Sequence, residues 1–186
     1  MRAFVAVLLG AVALSGCSSV GGTDGKGYIS GNGQVSTIDA ADREEPVELT
    51  GTDLNGNEVD LASLRGKPVV VNVWWSECPP CIAEMPDLQG AHEELGDRAG
   101  WVGINIRDNA VEKAQLFETT YDVSWPSIYD PTGRALLPFS GRLSPRNIPS
   151  TVVLDPQGRL AALVLGPIPS QGTLVGLVED VEADHG

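Results

Sequence analysis

Apolar residues along this chain gather into short blocks separated by turns bearing Gly, Pro, Asn and Asp, and the blocks are of two kinds. Val69–Trp74 (VVVNVW) and residues 101–106 (WVGINI) are near-continuous apolar runs, the pattern of strands buried on both faces of a sheet. Val47-Glu48-Leu49 alternates as a half-buried strand does, and residues 53–57 predict a turn after it. Residues 125–129 predict a short strand, with a turn over 130–133. Ser150–Leu154 and residues 159–165 are two apolar runs joined by Asp155-Pro156-Gln157-Gly158, a hairpin. Other blocks repeat at helical spacing. Residues 110–121 place Val111, Ala114, Phe117 and Tyr121 on one face, and residues 172–181 form a closing amphipathic helix. A further helix is expected from about Pro79 to Leu95, bent or interrupted at Pro86, where a hydrogen bond to residue i−4 is lost. Strand–helix–strand–helix, then a hairpin and a last helix, gives a mixed α/β sheet with helices on both faces. No internal repeat is present.

The amino-terminal residues do not fit that pattern. Arg2 precedes an apolar run, residues 3–14, too short to span a bilayer as a mature helix. The run ends in Leu14-Ser15-Gly16-Cys17, which resembles the lipobox of bacterial lipoproteins, where the signal is cut before a cysteine that then carries the lipid. The expected division is a lipoprotein signal peptide at 1–16, a flexible linker at 17–45 and a folded domain at 46–183. An ordinary secretory signal with an incidental cysteine is the competing reading, and either one exports the chain. The linker is rich in Gly, Ser, Asp and Asn, although residues 28–29 and 35–38 are apolar enough to lie along the domain. As a coil it would hold the domain on the order of 30 Å from a membrane. With 186 residues there is room for one domain with a proper core. The formal charge of −13 disfavours nucleic acid and anionic lipid as partners, because both are polyanions.

The chemistry concentrates where the central strand meets the first helix. Residues 69–86 read VVVNVWWSECPPCIAEMP, so a buried strand ends in Cys78-Pro79-Pro80-Cys81 and turns directly into a helix. The helix N-terminus aims unpaired N–H groups and the positive end of its dipole at the first sulfur, which favours a thiolate at Cys78. Cys81 is expected to be the more buried partner. A purely structural disulfide across two residues closes almost no loop and restrains the unfolded chain little. A structural zinc site needs four ligands, and the chain has three cysteines and two histidines.

Together with Val71-Asn72-Val73-Trp74 before the site, Glu84-Met85-Pro86 after it and Ile148-Pro149-Ser150-Thr151 further on, these residues make the chain resemble the TlpA/ResA branch of thioredoxin-like proteins, over about residues 46–181. The resemblance implies a thioredoxin-like mixed sheet flanked by helices, with the branch's added strand and helix between Trp101 and Tyr121 and an N-terminal extension. It implies a membrane-anchored, extracytoplasmic thiol–disulfide oxidoreductase. ResA-like and CcsX-like members reduce the haem-site disulfide of apocytochrome c. Residue by residue, Cys78 and Cys81 are the catalytic pair, Glu84 matches a glutamate near the dithiol that tunes it and could relay protons, and Pro149 matches a cis-proline facing the dithiol. The backbone of Ile148 is then turned outward to receive an extended client as an added strand. Asn72 stands where thioredoxin itself has a buried acid. Glu77 replaces the tryptophan usual before the first cysteine, and its carboxylate opposes the helix dipole at Cys78. Trp75, with Trp74, is expected to supply the missing aromatic contact to a client.

The implied reaction is a two-step exchange. Cys78 attacks a client disulfide, and Cys81 then attacks Cys78, which releases reduced client and leaves the pair oxidised. No metal or organic cofactor is needed. A CcdA-like membrane thiol carrier is the implied electron donor, and the protein is expected to act as a monomer, lipid-anchored through Cys17 on the outer face of the bacterial cell membrane. Two alternatives stay open. One is the same fold run in reverse as a disulfide-forming oxidase of the DsbE kind. The other is a copper-binding lipoprotein, for which His92 and His185 are poorly placed. A peroxidase reading would want threonine where Trp75 stands.

Overall fold

The computed structural model describes residues 34–139 and 141–184. The signal-like run, Cys17, residues 28–29 and His185 lie outside the described residues. Among the described residues no helix is long and apolar enough to cross a membrane.

The sheet is built outward from one strand. Val69–Trp74 (β4) is buried at every position, so both of its faces must be covered. It runs parallel to Gly100–Asn105 (β5) and antiparallel to Ser150–Leu154 (β7). Ser127–Tyr129 (β6) extends the β5 side, and Leu160–Leu165 (β8) and Val35–Thr37 (β1) extend the other. The order is β1-β8-β7-β4-β5-β6, a mixed six-stranded sheet. A separate hairpin pairs Thr50–Thr52 (β2) with Glu58–Asp60 (β3). Its turn is organised by the Asp53 carboxylate, which accepts the N–H groups of Asn55 and Asn57, each at 2.8 Å. Val47 and Leu49, which alternate in the sequence, are buried, but the ladder forms one step later. The Val47 N–H goes to the Gly158 carbonyl and the Leu49 carbonyl takes the Leu61 N–H, so this stretch is extended backbone held by single bonds.

The helices Pro79–Leu95 (α1), Val111–Thr120 (α2) and Gln171–Ala183 (α3) all contribute to one core. Val70 and Trp74 on β4 meet Leu88 of α1, Phe117 of α2 and Leu174 and Val178 of α3 in that core. The flanking is therefore uneven. The opposite face, carrying Val69, Val71 and Val73, is covered by Val47, Leu49, Val59 and Leu61 and by a 3-10 turn, Arg134–Phe139, that contributes Leu136 and Phe139. That turn contains Pro138 and lacks a long helical repeat, which is why the sequence pattern did not mark it. Helix α1 continues through Pro86, where a bend or an interruption is expected, so of the two the interruption is absent. Met85 and Leu88 are buried on either side of it, and their packing holds the helix together across the single missing hydrogen bond.

The segment before residue 46 is joined to this unit. β1 pairs Val35 with Val164 and Thr37 with Ala162. Arg43 sits on the Asp155 carboxylate at 3.3 Å with both side chains buried, and it also contacts Asp184. Asp155 in turn organises the β7–β8 turn by accepting the N–H groups of Gln157 and Arg159. Removing one partner of a buried ion pair typically costs about 3–5 kcal/mol. Because Arg159 Nε remains on Asp155 at 2.8 Å, Arg43→Ala is expected at the lower end, about 3 kcal/mol, read as a lower midpoint in urea unfolding. An unchanged midpoint would show that residues 34–45 are not part of the cooperative unit.

Candidate active site

The strand-to-helix junction delivers the two cysteines to one end of the sheet. Cys78 is the N-cap of α1, with extended backbone angles, and Pro79 and Pro80 open the helix where no N–H donor is required. Cys78 and Cys81 are joined in a disulfide with their Cα atoms 5.2 Å apart. The Cys81 N–H points at Cys78 Sγ, 3.3 Å away, so a free backbone donor at the helix start already faces the outer sulfur. Cys78 is 5% exposed and Cys81 1%, so Cys81 is the more buried of the two, in line with the sequence.

One turn beyond Cys81, Glu84 is 2% exposed. Its Oε1 accepts from Asn72 Nδ2 at 3.0 Å and its Oε2 accepts the Ile168 N–H at 2.9 Å. The same Asn72 amide donates to Thr151 Oγ1 at 3.0 Å. Burial outweighs those two hydrogen bonds, and the nearby Asp87 adds to it, so the Glu84 carboxyl is pushed up from 4.5 to about 7. Asn72, which stands where thioredoxin itself has a buried acid, therefore holds an acid whose pKa is pushed up to about 7.

The other residues singled out from the sequence divide. Trp75 is half-buried against the core beside the dithiol, and its carbonyl accepts the Cys78 N–H at 3.2 Å. Trp74 is buried. Its ring stacks on Phe117 at 4.5 Å and its Nε1 donates to Ser127 Oγ, so it supports the site from inside and offers a client no surface. Glu77 is exposed and bonded to Lys113 Nζ at 2.6 Å. The Lys113 ammonium is correspondingly held above its ordinary range by that hydrogen bond and charge. The acid before Cys78 thus comes with its own counter-ion, and its opposition to the helix dipole is weaker than the sequence alone suggests.

Ile148-Pro149 is a cis peptide, as expected. Ser150 pairs with Val73, which places residues 148–149 at the same end of the sheet as the dithiol. The Pro149 carbonyl accepts the Gly166 N–H, while among the described residues nothing bonds to the backbone N–H or carbonyl of Ile148. Two residues escaped sequence reasoning. Asp108, 1% exposed, accepts from Ser76 N at 3.1 Å, from Ser76 Oγ at 2.6 Å and from Asn105 Nδ2 at 2.7 Å. Arg107 lies over the Trp75 ring and donates to the Pro145 carbonyl. Nothing in their sequence context separates them from ordinary solvated loop charges.

The sequence profile of the AhpC/TSA family matches residues 42–163. A solved DsbF homologue from Corynebacterium diphtheriae is 35% identical, with a TM-score of 0.75 over 82% of this chain and 96% of that one. A secreted thiol-disulfide isomerase from Corynebacterium glutamicum is 31% identical, with a TM-score of 0.75 over 83% and 96%. Thiol-disulfide oxidoreductase ResA of Halalkalibacterium halodurans is 29% identical over 131 residues, 69% of this chain and 70% of its own length. The chain spans about two thirds of the length of three such curated relatives, from 62% to 70%.

Glu84 makes stability depend on pH in a defined direction. Its folded pKa lies above its unfolded value, so between about 4.5 and 7 the folded chain holds a proton that the unfolded chain has released. Stability therefore falls as pH rises through that window and levels above it. Glu84→Gln is expected to flatten this part of the profile of urea midpoint against pH. A profile unchanged by the substitution would show that the carboxyl does not titrate near neutrality.

Proposed function

The chain belongs to the AhpC/TSA family and is a thioredoxin-like protein of the ResA/DsbE thiol–disulfide oxidoreductase type, and we propose that it works outside the cytoplasm as a reductant of protein disulfides. The observation that carries this reading is the cysteine pair capping α1 with the buried Glu84 one turn behind it. The helix terminus favours a thiolate at Cys78, which attacks a client disulfide and expels one client thiolate. Cys81 then attacks Cys78, releases the second client thiol and restores the disulfide. Glu84, poised near pH 7, takes and returns the proton of the inner thiol, the part that an ionisable residue at position 72 would otherwise play.

Direction follows from charge. A carboxylate buried near the sulfurs disfavours their thiolates, which destabilises the reduced pair and makes it a stronger reductant. Glu77 adds little to this, being exposed and paired with Lys113. The unpaired backbone of Ile148 suits a client held as an extended strand. The client we favour is the haem-site disulfide of apocytochrome c, with electrons from a CcdA-like membrane carrier and an anchor at lipidated Cys17. This rests on the resemblance to ResA and on the lipobox-like run. Peroxidase chemistry is disfavoured, because Trp75 fills the place three residues before Cys78 where threonine would be wanted.

Equilibration of the pair against glutathione and dithiothreitol buffers, read by tryptophan fluorescence, is expected to give a potential below about −180 mV. A markedly higher value would make the protein an oxidant. Cys81→Ser should trap a client as a mixed disulfide on Cys78, whereas Cys78→Ser should form none and lose exchange entirely. Exchange surviving in Cys78→Ser would end the assignment.

A further inference from the structure

Residue 107 follows β5 in the loop that leads to α2, and its backbone has φ 68°, in the left-handed region. For a residue with a full side chain that conformation is strained, and it persists only where the surroundings enforce it. What the conformation achieves is visible in the side chain. The Arg107 guanidinium lies 5.7 Å from the centroid of Trp75, and Nη2 donates to the carbonyl of Pro145. Trp75 belongs to the loop before the dithiol and its carbonyl holds the Cys78 N–H. Pro145 belongs to the segment that runs into Ile148 and Pro149. One cation therefore spans the two walls between which a client strand would lie.

Its neighbour fixes the base of this strap. Asp108 holds Ser76 by both N–H and hydroxyl, and Tyr129 OH donates to the Asp108 carbonyl at 3.0 Å. Trp75-Ser76 is thus gripped by two consecutive residues, Arg107 at the Trp75 ring and Asp108 at the Ser76 N–H and hydroxyl. Arginine suits the outer position because a planar guanidinium can lie over an indole while donating in its own plane to a carbonyl, a fixed geometry that a compact ammonium on a flexible stem does not enforce. Beyond Pro145 the surface opens into a depression lined by Arg146, Asn147, Ile148, Leu165 and Pro167, continuous with the second wall.

We propose that Arg107 is a positioning residue that fixes the separation of the Trp75 wall from the Pro145–Ile148 wall, and so governs exchange with protein clients while leaving exchange with small disulfides untouched. The inference rests on the disulfide-exchange reading above. A protein client must engage both walls at once, whereas a small disulfide needs only the Cys78 sulfur.

The test uses the full chain, reduced, with Arg107→Lys and Arg107→Gly. The substrates are an oxidised Cys-x-x-Cys-His peptide and dithiodipyridine, an uncharged small disulfide. In single turnovers with peptide in excess, both variants are expected to raise the half-saturating peptide concentration, taken as KM, about tenfold with the limiting rate little changed, and to reduce dithiodipyridine at rates within about twofold of the unsubstituted chain. Arg107→Gly, freed of the left-handed penalty, should unfold at no lower urea concentration. An unchanged peptide KM in both variants overturns the proposal, as does a parallel loss with dithiodipyridine, which would mark a general disturbance of the dithiol. If the unsubstituted chain reduces neither substrate, the exchange reading itself fails. If it reduces only dithiodipyridine, the two-walled groove is absent and the proposal falls with it.

Discussion

The arrangement depends on one carboxyl group that has nowhere to go. Glu84 is shut away from water, and its two oxygens are taken by the side-chain amide of Asn72 in β4 and the backbone N–H of Ile168 in the loop after β8. Through Asn72 the contact reaches Thr151 in β7. The first helix, the central strand, its antiparallel neighbour and the last loop therefore meet at a single titratable group. Such a group is costly to bury charged, and the fold resolves the conflict by leaving its protonation undecided near neutral pH. That indecision is a liability for stability above the unfolded value and leaves a proton exchangeable close to neutral pH.

Around the outer sulfur the electrostatics are more balanced than charge counting suggests. The formal charge is −13, and an acid directly precedes Cys78. Yet Lys113 sits on that acid, Arg107 covers Trp75, and the helix terminus presents its N–H to Cys78. Local cations offset the local anion, while the Glu84 carboxyl stays buried one turn beyond Cys81. Surface contributions of this kind fade with salt, whereas the buried one does not.

Much of this was legible in the sequence for a physical reason: strands buried on both faces must be apolar throughout, and a helix opening on Cys-Pro-Pro-Cys announces its own terminus. The central strands, the hairpin at Asp155–Gly158 and the helix beginning at Pro79 follow from those rules. The unevenness of the two faces did not, because α2 carries the same periodicity whichever side of the sheet it covers; Phe117 meeting Trp74 decides it. Trp74 and Trp75 are adjacent in an apolar run, and only the structure shows that the first is buried and the second half-buried against the same core. Asp108 and Arg107 were silent because their partners, Ser76 and Pro145, are distant in sequence and are brought close only by the parallel pairing of β4 with β5 and the loop beyond.

The seating of Arg43 on Asp155 has a mechanical side. Residues 34–45 reach the domain along β1, the outermost strand on the β8 side, while the dithiol stands at the end of β4, with β8 and β7 between. A pull on the chain at residue 34 is therefore borne first by three strand pairings and then by a charge pair sealed in the interior. The force is absorbed at the sheet's margin, and the sulfur pair is spared the load.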